Sequence, residues 1–420
     1  MDHTGQILQA CFGILVFLII AWLMSENRKN VDYKFAILGI GIQAVLAFLI
    51  TKVSVVQNSF LWVSEGINKL KSATAEGTKF VFGYLGGGDV PFVVKEGASP
   101  FIFAFQPLPM VLVVSALSML LFHWKILPVI VRGFSYALRK SLNIGGALGV
   151  CAAAKVFLGQ TEAPLLIRPY LARFSRSELF TVMTAGMATT STTIMILYAQ
   201  ILEGTITNPI THILTASIIS IPAAISISRI MIPQIGDHTS GELVMPYQFA
   251  GAMDAVSQGA SDGMKLFLNI IAMLIVTLAL VALVNYLLGN FPDFYQEPIT
   301  LQRILGYAMA PVTWLMGIPW TEAKAAGNLL GTKTILNEVV AFIDLANLKN
   351  MLSAHTNLVM TYALCGFANL SSIGIQIGGL GTMVPERRAE IITLGFRALI
   401  AGTIASCLSG TIMGILYLIN

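Results

Sequence analysis

Charge is what this 420-residue sequence has least of: 11% of its residues are Asp, Glu, Lys or Arg, where a soluble domain carries about a quarter. With 56% hydrophobic residues and a mean hydropathy of +0.78, that deficit excludes a water-soluble globular chain. The net charge of +4 is small and dispersed, so no basic tail is present to bind nucleic acid. Cysteine is nearly absent. Cys11, Cys151, Cys365 and Cys407 lie in apolar runs at spacings that fit neither a metal site nor a disulfide framework, which leaves them as packing residues. His3, His123, His212, His238 and His355 are scattered, mostly near the ends of expected elements, and form no ligand cluster. A phosphate-binding loop is missing too. Residues 327–334 have the wrong glycine spacing for one, and Gly327 and Gly331 read as helix breakers. No cleavable signal peptide is visible, since the residues before Ile7 carry no positive charge cluster.

What is present is a series of apolar runs of the length that crosses a bilayer. They cover residues 7–24, 35–51, 108–122, 179–202, 210–228, 266–284 and 391–418. An interrupted run at 358–372 makes eight. Arg28, Lys29 and Lys34 after the first run place that loop in the cytoplasm, and the N-terminus therefore outside. Arg387 and Arg388 start the last run inside, so the C-terminus is also outside, in keeping with an even number of crossings. Between the runs, Phe60, Val63, Ile67 and Leu70 recur at helical spacing among Glu65, Asn68, Lys69 and Lys71, the pattern of an interfacial helix. Residues 83–88 and 97–100 read as loop, and 233–265 as a polar connector followed by an amphipathic helix.

Two stretches break the apolar pattern. Gly159-Gln160-Thr161-Glu162-Ala163-Pro164 sets an amide, a hydroxyl and a carboxylate between apolar runs. Ionisable groups at membrane depth cost roughly 2.5–3.5 kcal/mol each, and normally face a cavity. The flanking Gly and Pro suggest two half-helices meeting tip to tip. About 177 residues later, Asn337-Glu338 repeats the motif. Each is followed by a second interruption, the hydroxyls at 189–193 and then residues 366–372. Paired interruptions in corresponding halves point to a transporter's midplane site.

The residues 159–170, 337–342 and 365–372, in that order and spacing, resemble the three signatures of the concentrative nucleoside transporters. The resemblance runs from about Phe12 to the C-terminus. It implies an all-α polytopic membrane protein with eight transmembrane helices, interfacial helices and two re-entrant hairpins in an inverted repeat. It also implies a homotrimer in the cytoplasmic (inner) membrane, moving its nucleoside substrate by an elevator stroke. On that likeness residues 1–140 and 233–318 are mainly scaffold, while 141–232 and 319–420 are two transport halves. Gln160, Thr161 and Glu162 would bind the nucleobase, with Ile194 packed against it. Glu338, Asn369 and Ser372 would bind the ribose, and Phe367 would close over the ligand.

The family's sodium site maps onto Lys155, Leu158, Thr189 and Thr190, and Lys155 stands where the family has an Asn. An ammonium has three donors and no acceptor, so it cannot ligate a cation. The coupling ion is therefore left between sodium and a proton, with facilitated transport as the further alternative; the other reading of Lys155 is that it snorkels away. No other cofactor is implied. A membrane-embedded enzyme using Glu162 and Glu338 as acid and base is a rival, but no nucleophile motif accompanies the carboxylates. A channel is a second rival, and the two hairpins speak for a closed midplane site against it.

Overall fold

The computed structural model describes residues 3–93, 101–244, 248–292 and 298–419, and all regular structure among them is helical. The loop expected at 97–100 lies outside the described residues. The chain begins with α1 (His3–Leu23), α2 (Tyr33–Lys52) and α3 (Ser54–Phe82), then α4 (Met110–His123) and α5 (Ile126–Leu142). The first hairpin follows as α6 (Gly146–Ala154), α7 (Glu162–Leu165) and α8 (Arg168–Leu171). Next come α9 (Arg176–Ala188), α10 (Thr192–Ile201), α11 (Pro209–Met231), α12 (Ala252–Leu288) and α13 (Leu301–Leu315). The second hairpin is α14 (Trp320–Ile335) and α15 (Glu338–Asn347), after which α16 (Ala354–Leu364), α17 (Leu370–Met383) and α18 (Arg388–Leu418) end the fold.

Burial sorts these helices. The α9–α10 segment is 94% buried and α11 is 83% buried along their apolar windows, whereas α1 and α2 are 33% and α12 is 6%. The core is thus α9–α10, α11 and α18, and α12 stands at the outside. The expected interfacial helix at 60–71 is part of α3; the side chains of residues 54–64, Phe60 and Val63 among them, lie outside the described set. The amphipathic helix and the span expected between 233 and 284 are one continuous 37-residue helix, α12, starting at Ala252. It packs closely on α4, because a Cβ on Gly259 would stand 2.6 Å from the Ala116 backbone, and small residues let membrane helices approach.

Gly327 and Gly331 are not helix breakers. Both lie inside α14. A Cβ on Gly327 would stand 2.6 Å from the Gly306 carbonyl, and one on Gly331 2.5 Å from Leu305 Cβ, so these glycines serve the contact between α14 and α13. All four cysteines are free, three of them buried and Cys11 exposed on α1.

The breaks that matter fall at or beside the polar motifs. The α6–α7 connection, the α9–α10 break at 189–191, the α14–α15 turn at 336–337 and the α16–α17 break at 365–369 all interrupt helices. Capping side chains restart the chain after two of them, and a third opens α9, the helix that leads into the break at 189–191. Ser175 forms a capping box with Glu178 on α9, Asn337 accepts from Val340 N–H, and Asn369 from Ser372 N–H.

At one end of this core a charged cluster joins distant elements. Glu26, in the loop after α1, accepts from Arg176 Nε and Nη2 at 3.0 and 2.8 Å and from Arg397 Nη1 at 2.6 Å. Arg176 also reaches Glu390, which Arg387 holds at 2.7 Å. The hydrogen bonds from Arg176 hold the Glu26 carboxyl below its usual range, against the opposing effect of partial burial. A carboxylate with a lowered folded pKa contributes stability above its unfolded value and loses it as pH falls through the folded one. Glu26→Gln should therefore cost about 1 kcal/mol at neutral pH, the scale of a partly exposed ion pair. Thermal unfolding in detergent should show the gap between wild type and variant holding from about pH 7 to about pH 5 and closing only as pH falls below about 4. A gap that is constant with pH, or absent at pH 7, would discount the cluster.

Candidate functional site

The first hairpin's turn is built on one residue's peptide groups. Gly159 N–H donates to Glu162 Oε2 at 3.0 Å, and Gly159 O accepts from Lys155 Nζ at 3.4 Å. Lys155 is 1% exposed, so its ammonium is inside the protein and does not snorkel out. Gly186 on α9 makes room for it: a Cβ there would lie 3.0 Å from Lys155 Nζ and 2.7 Å from Gln376 Nε2. Gln160 and Gln376 both carry a buried Oε1 without a hydrogen-bond partner.

Across from this turn, Glu338 opens α15 and is 4% exposed. Its Oε1 accepts from Tyr198 Oη at 2.6 Å and its Oε2 from Asn369 Nδ2 at 2.8 Å. Asn369 is in turn fixed, because its Oδ1 caps α17 and also accepts from Ser371 Oγ at 2.7 Å. Tyr198 is stacked at a tilt on Phe342, ring centroids 4.7 Å apart. Every link of this chain is a side chain with one remaining freedom removed by its neighbour.

Between the two glutamates lies a cavity of about 270 Å³. All eight residues singled out in the sequence line it: Gln160, Thr161, Glu162 and Ile194 on one side, Glu338, Phe367, Asn369 and Ser372 on the other. The N-cap residues of three helices, Ser191 of α10, Asn337 of α15 and Asn369 of α17, also face it. Helix N-termini present unpaired N–H groups and a partial positive charge, so they hold carboxylates and accept electron-rich ligand atoms. The wall opposite is apolar and comes from α12, through Leu266, Ile270 and Leu274, with Asn269 as its polar member.

The residues mapped onto a sodium site are placed differently. Lys155, Leu158, Thr189 and Thr190 do not line the cavity. Thr189 Oγ1 bonds back to Ala185 O at 2.7 Å, and its carbonyl accepts from Phe367 N–H at 3.4 Å. Thr192 joins the hairpin to α10 through Val156 O and Phe157 O. The hydroxyl run at 189–193 therefore ties the break together, and only Ser191 of the five faces the cavity. With a buried, donor-only ammonium at position 155 instead of an oxygen ligand, this donor set does not fit a sodium ion.

Sequence reading missed Tyr198 and Asn269. Tyr198 sits in an apolar helix where an aromatic reads as packing, and only the fold turns its hydroxyl onto Glu338. Asn269 gave a signal, as a lone amide inside the apolar run 266–284.

A helical membrane protein whose polar cavity is walled by interrupted helices from both halves of the chain is a solute carrier. Comparison with known proteins narrows the class. Models of the Na+ dependent nucleoside transporter N-terminus and C-terminus match residues 12–85 and 212–414, and a nucleoside recognition "Gate" model matches 104–205. The nucleoside permease NupC of Helicobacter pylori is 34% identical over 417 residues, covering 97% of each chain. An uncharacterised transporter of Bacillus subtilis, YutK, is 36% identical over 418 residues, covering 97% of this chain and 99% of that one. The structure of CNTnw in an inward-facing substrate-bound state superposes with a TM-score of 0.90 at 31% identity, covering 98% of this chain and 97% of that one. The chain belongs to the concentrative nucleoside transporter family. It is an integral membrane protein that imports nucleosides by alternating access, and not an enzyme.

The Tyr198–Glu338 bond yields a test. Tyr198→Phe keeps the ring on Phe342 and removes the donor, leaving a buried carboxylate oxygen short of a partner. Hydrogen bonds to charged groups are worth about 1.5–3 kcal/mol, so uridine or adenosine affinity should fall by about tenfold or more in calorimetry. Unchanged affinity would show that Glu338 does not depend on this tyrosine.

Proposed function

We propose that the nucleoside lies in the cavity between the hairpins, its base against Gln160, Thr161, Glu162 and Ile194, and its ribose diol on Glu338, Asn369 and Ser372, with Phe367 as the cover. The single observation that supports this best is the locked carboxylate of Glu338. A diol is two hydroxyl donors that are also acceptors, and a carboxylate, an amide and a serine hydroxyl complement it. A site built to bond those hydroxyls rejects molecules lacking them, because its own buried polar groups are then left unpaired.

The motion we propose is an elevator stroke of residues 141–232 and 319–420 against residues 1–140 and 233–318, in a homotrimer of the cytoplasmic (inner) membrane with both termini outside. The low burial of α12 supports a face covered by lipid or by other copies. Ties such as Gln43 Nε2 to Ser409 Oγ, 2.9 Å, cross that division and would be broken or carried along in the stroke.

The proposed site predicts its own selectivity. Glu162→Ala or Glu338→Ala should each weaken binding by about 1.5–3 kcal/mol, as for bonds to charged groups. Free uracil should compete poorly with uridine for uptake, since it lacks the diol. Both mutants binding like wild type, or uracil matching uridine, would sink the assignment.

For coupling, we propose transport that does not use sodium, because a buried, donor-only ammonium stands at position 155, where a cation would need an oxygen ligand. Replacing sodium by choline should leave uptake in vesicles unchanged. Lys155→Asn should confer a sodium dependence, incomplete where Thr192 and Thr193 crowd the break. Wild-type uptake that rises steeply and saturably with sodium at constant pH would refute this part and leave the nucleoside site standing.

A further inference from the structure

The helix before the first hairpin carries charges that the ligand cavity does not use. α4 and α5 meet at a bend of 79°, where Lys125 takes a left-handed backbone with φ 61°. A helix turned so sharply off a spanning one runs along the membrane surface. α5 has three faces. Leu127, Val131, Ser135, Leu138 and Leu142, at steps of three and four residues, are buried on the first. Ile126, Val129 and Ile130 form an apolar edge that is 45%, 62% and 41% exposed. Arg132, Tyr136, Arg139 and Lys140 share the third face, and all four are exposed.

That third face is of one sign. No Asp or Glu occurs between Glu96 and Glu162, so α5 has no acid of its own. Among the described residues Arg132, Arg139 and Lys140 make no hydrogen bond or ion pair. Acids at this end of the fold are engaged elsewhere. Gly145 joins α5 to α6, and a Cβ there would stand 3.1 Å from Glu178 Oε1. Glu178 accepts from Ser175 N–H and the Thr239 hydroxyl. Glu26 is held by Arg176 and Arg397, and Glu390 by Arg387. The loop with Lys29 and Lys34 lies at the same end, which the positive-inside rule makes cytoplasmic. Three free cations within about 12 Å of helix length call for an anion. The apolar edge beside them calls for one that carries acyl chains. A guanidinium takes a phosphate oxygen pair in parallel, and the Tyr136 hydroxyl adds a donor.

The buried face of α5 lies on the first arm of the hairpin. A Cβ on Gly149 of α6 would stand 2.8 Å from Arg139 Cγ and 3.1 Å from Ser135 Oγ. Phe134 meets Phe157 edge-on, with ring centroids 6.3 Å apart and planes at 90°. Arg139 therefore rests its stem on the hairpin arm while its charged head points outward. We propose that α5 is a docking face for anionic phospholipid headgroups, held by Arg132, Tyr136, Arg139 and Lys140, and that the bound lipid steadies the first hairpin's arm during transport. The lipid grips the outer face of the helix whose inner face carries the arm, so the hairpin is supported from the membrane surface.

Retained lipid is counted by native mass spectrometry of the detergent-solubilised full-length protein, mixed with equal phosphatidylglycerol and phosphatidylcholine. Wild type should prefer phosphatidylglycerol. Arg132→Gln with Arg139→Gln should lower that preference by about tenfold or more, at roughly fivefold per cation near an anionic surface. Lys29→Gln with Lys34→Gln removes the same charge from the α1–α2 loop and should leave the preference within about twofold. Retention is read without any nucleoside, so its outcome is separate from the nucleoside reading. In proteoliposomes, uridine counterflow by wild type should be faster with phosphatidylglycerol present than in phosphatidylcholine alone, and the α5 variant should lose that difference. Equal retention of the two lipids by wild type, or a preference that both pairs of replacements lower alike, overturns the docking face and leaves it to a second copy or an acidic protein. Counterflow indifferent to a lipid that α5 retains overturns the link to the hairpin. If Arg139→Gln fails to fold, Arg132→Gln with Lys140→Gln, which leaves the packed stem in place, decides.

Discussion

Everything near the centre of this protein follows from placing broken backbone and two carboxylates where there is no water. Each unpaired peptide group or charge in that setting costs several kcal/mol. The fold answers with local partners rather than distant ones. Gly159 spends its N–H on Glu162 and its carbonyl on Lys155. Asn337 and Asn369 cap the helices that they start. Thr189 returns its hydroxyl to Ala185. The interruptions that make a cavity are affordable because their loose ends are tied within a few residues.

The two sides of the cavity are held to different degrees. Glu338 is fixed by Tyr198 and Asn369, and Asn369 is fixed by its own helix. Glu162 is held by the hairpin's own Gly159 N–H, and Gln160 beside it keeps a buried carbonyl without a partner. A pre-organised side suits the invariant part of a nucleoside, the ribose. A less constrained side suits the part that differs between nucleosides. In the proposed site, specificity for the sugar and tolerance for the base would share one physical origin, the number of side-chain freedoms already lost before the ligand arrives.

The family relationship and the residue at 155 pull in different directions over the driving ion. Models that describe sodium-dependent transporters match most of this chain, and the fold coincides with that of CNTnw. Yet Lys155 cannot replace an oxygen ligand, since it has only donors, and the fold buries it against the hairpin. The glycine at 186 is part of the same arrangement, because any larger residue would displace the ammonium or Gln376. Shared fold alone does not fix the driving ion, because the ion's ligands are a few side chains set on that fold.

Composition by itself determined that the chain lives in a membrane, since so few charges cannot clothe a soluble surface. The polar motifs at 159–164, 337–338 and 366–372 determined where its helices break and marked seven of the residues that line the cavity between them, because polar groups at membrane depth have few other places to be. Local signals failed where the cause was not local. Gly327 and Gly331 read as breakers and proved to be the contact of α14 with α13; a glycine's missing side chain is the same in both roles, and only the neighbour distinguishes them. The extent of α12, the hydroxyl of Tyr198 on Glu338, and the direction in which Lys155 points were likewise decided by the tertiary structure. Each depends on residues more than a hundred positions away or on close packing between helices, and no pattern within one segment carries that information.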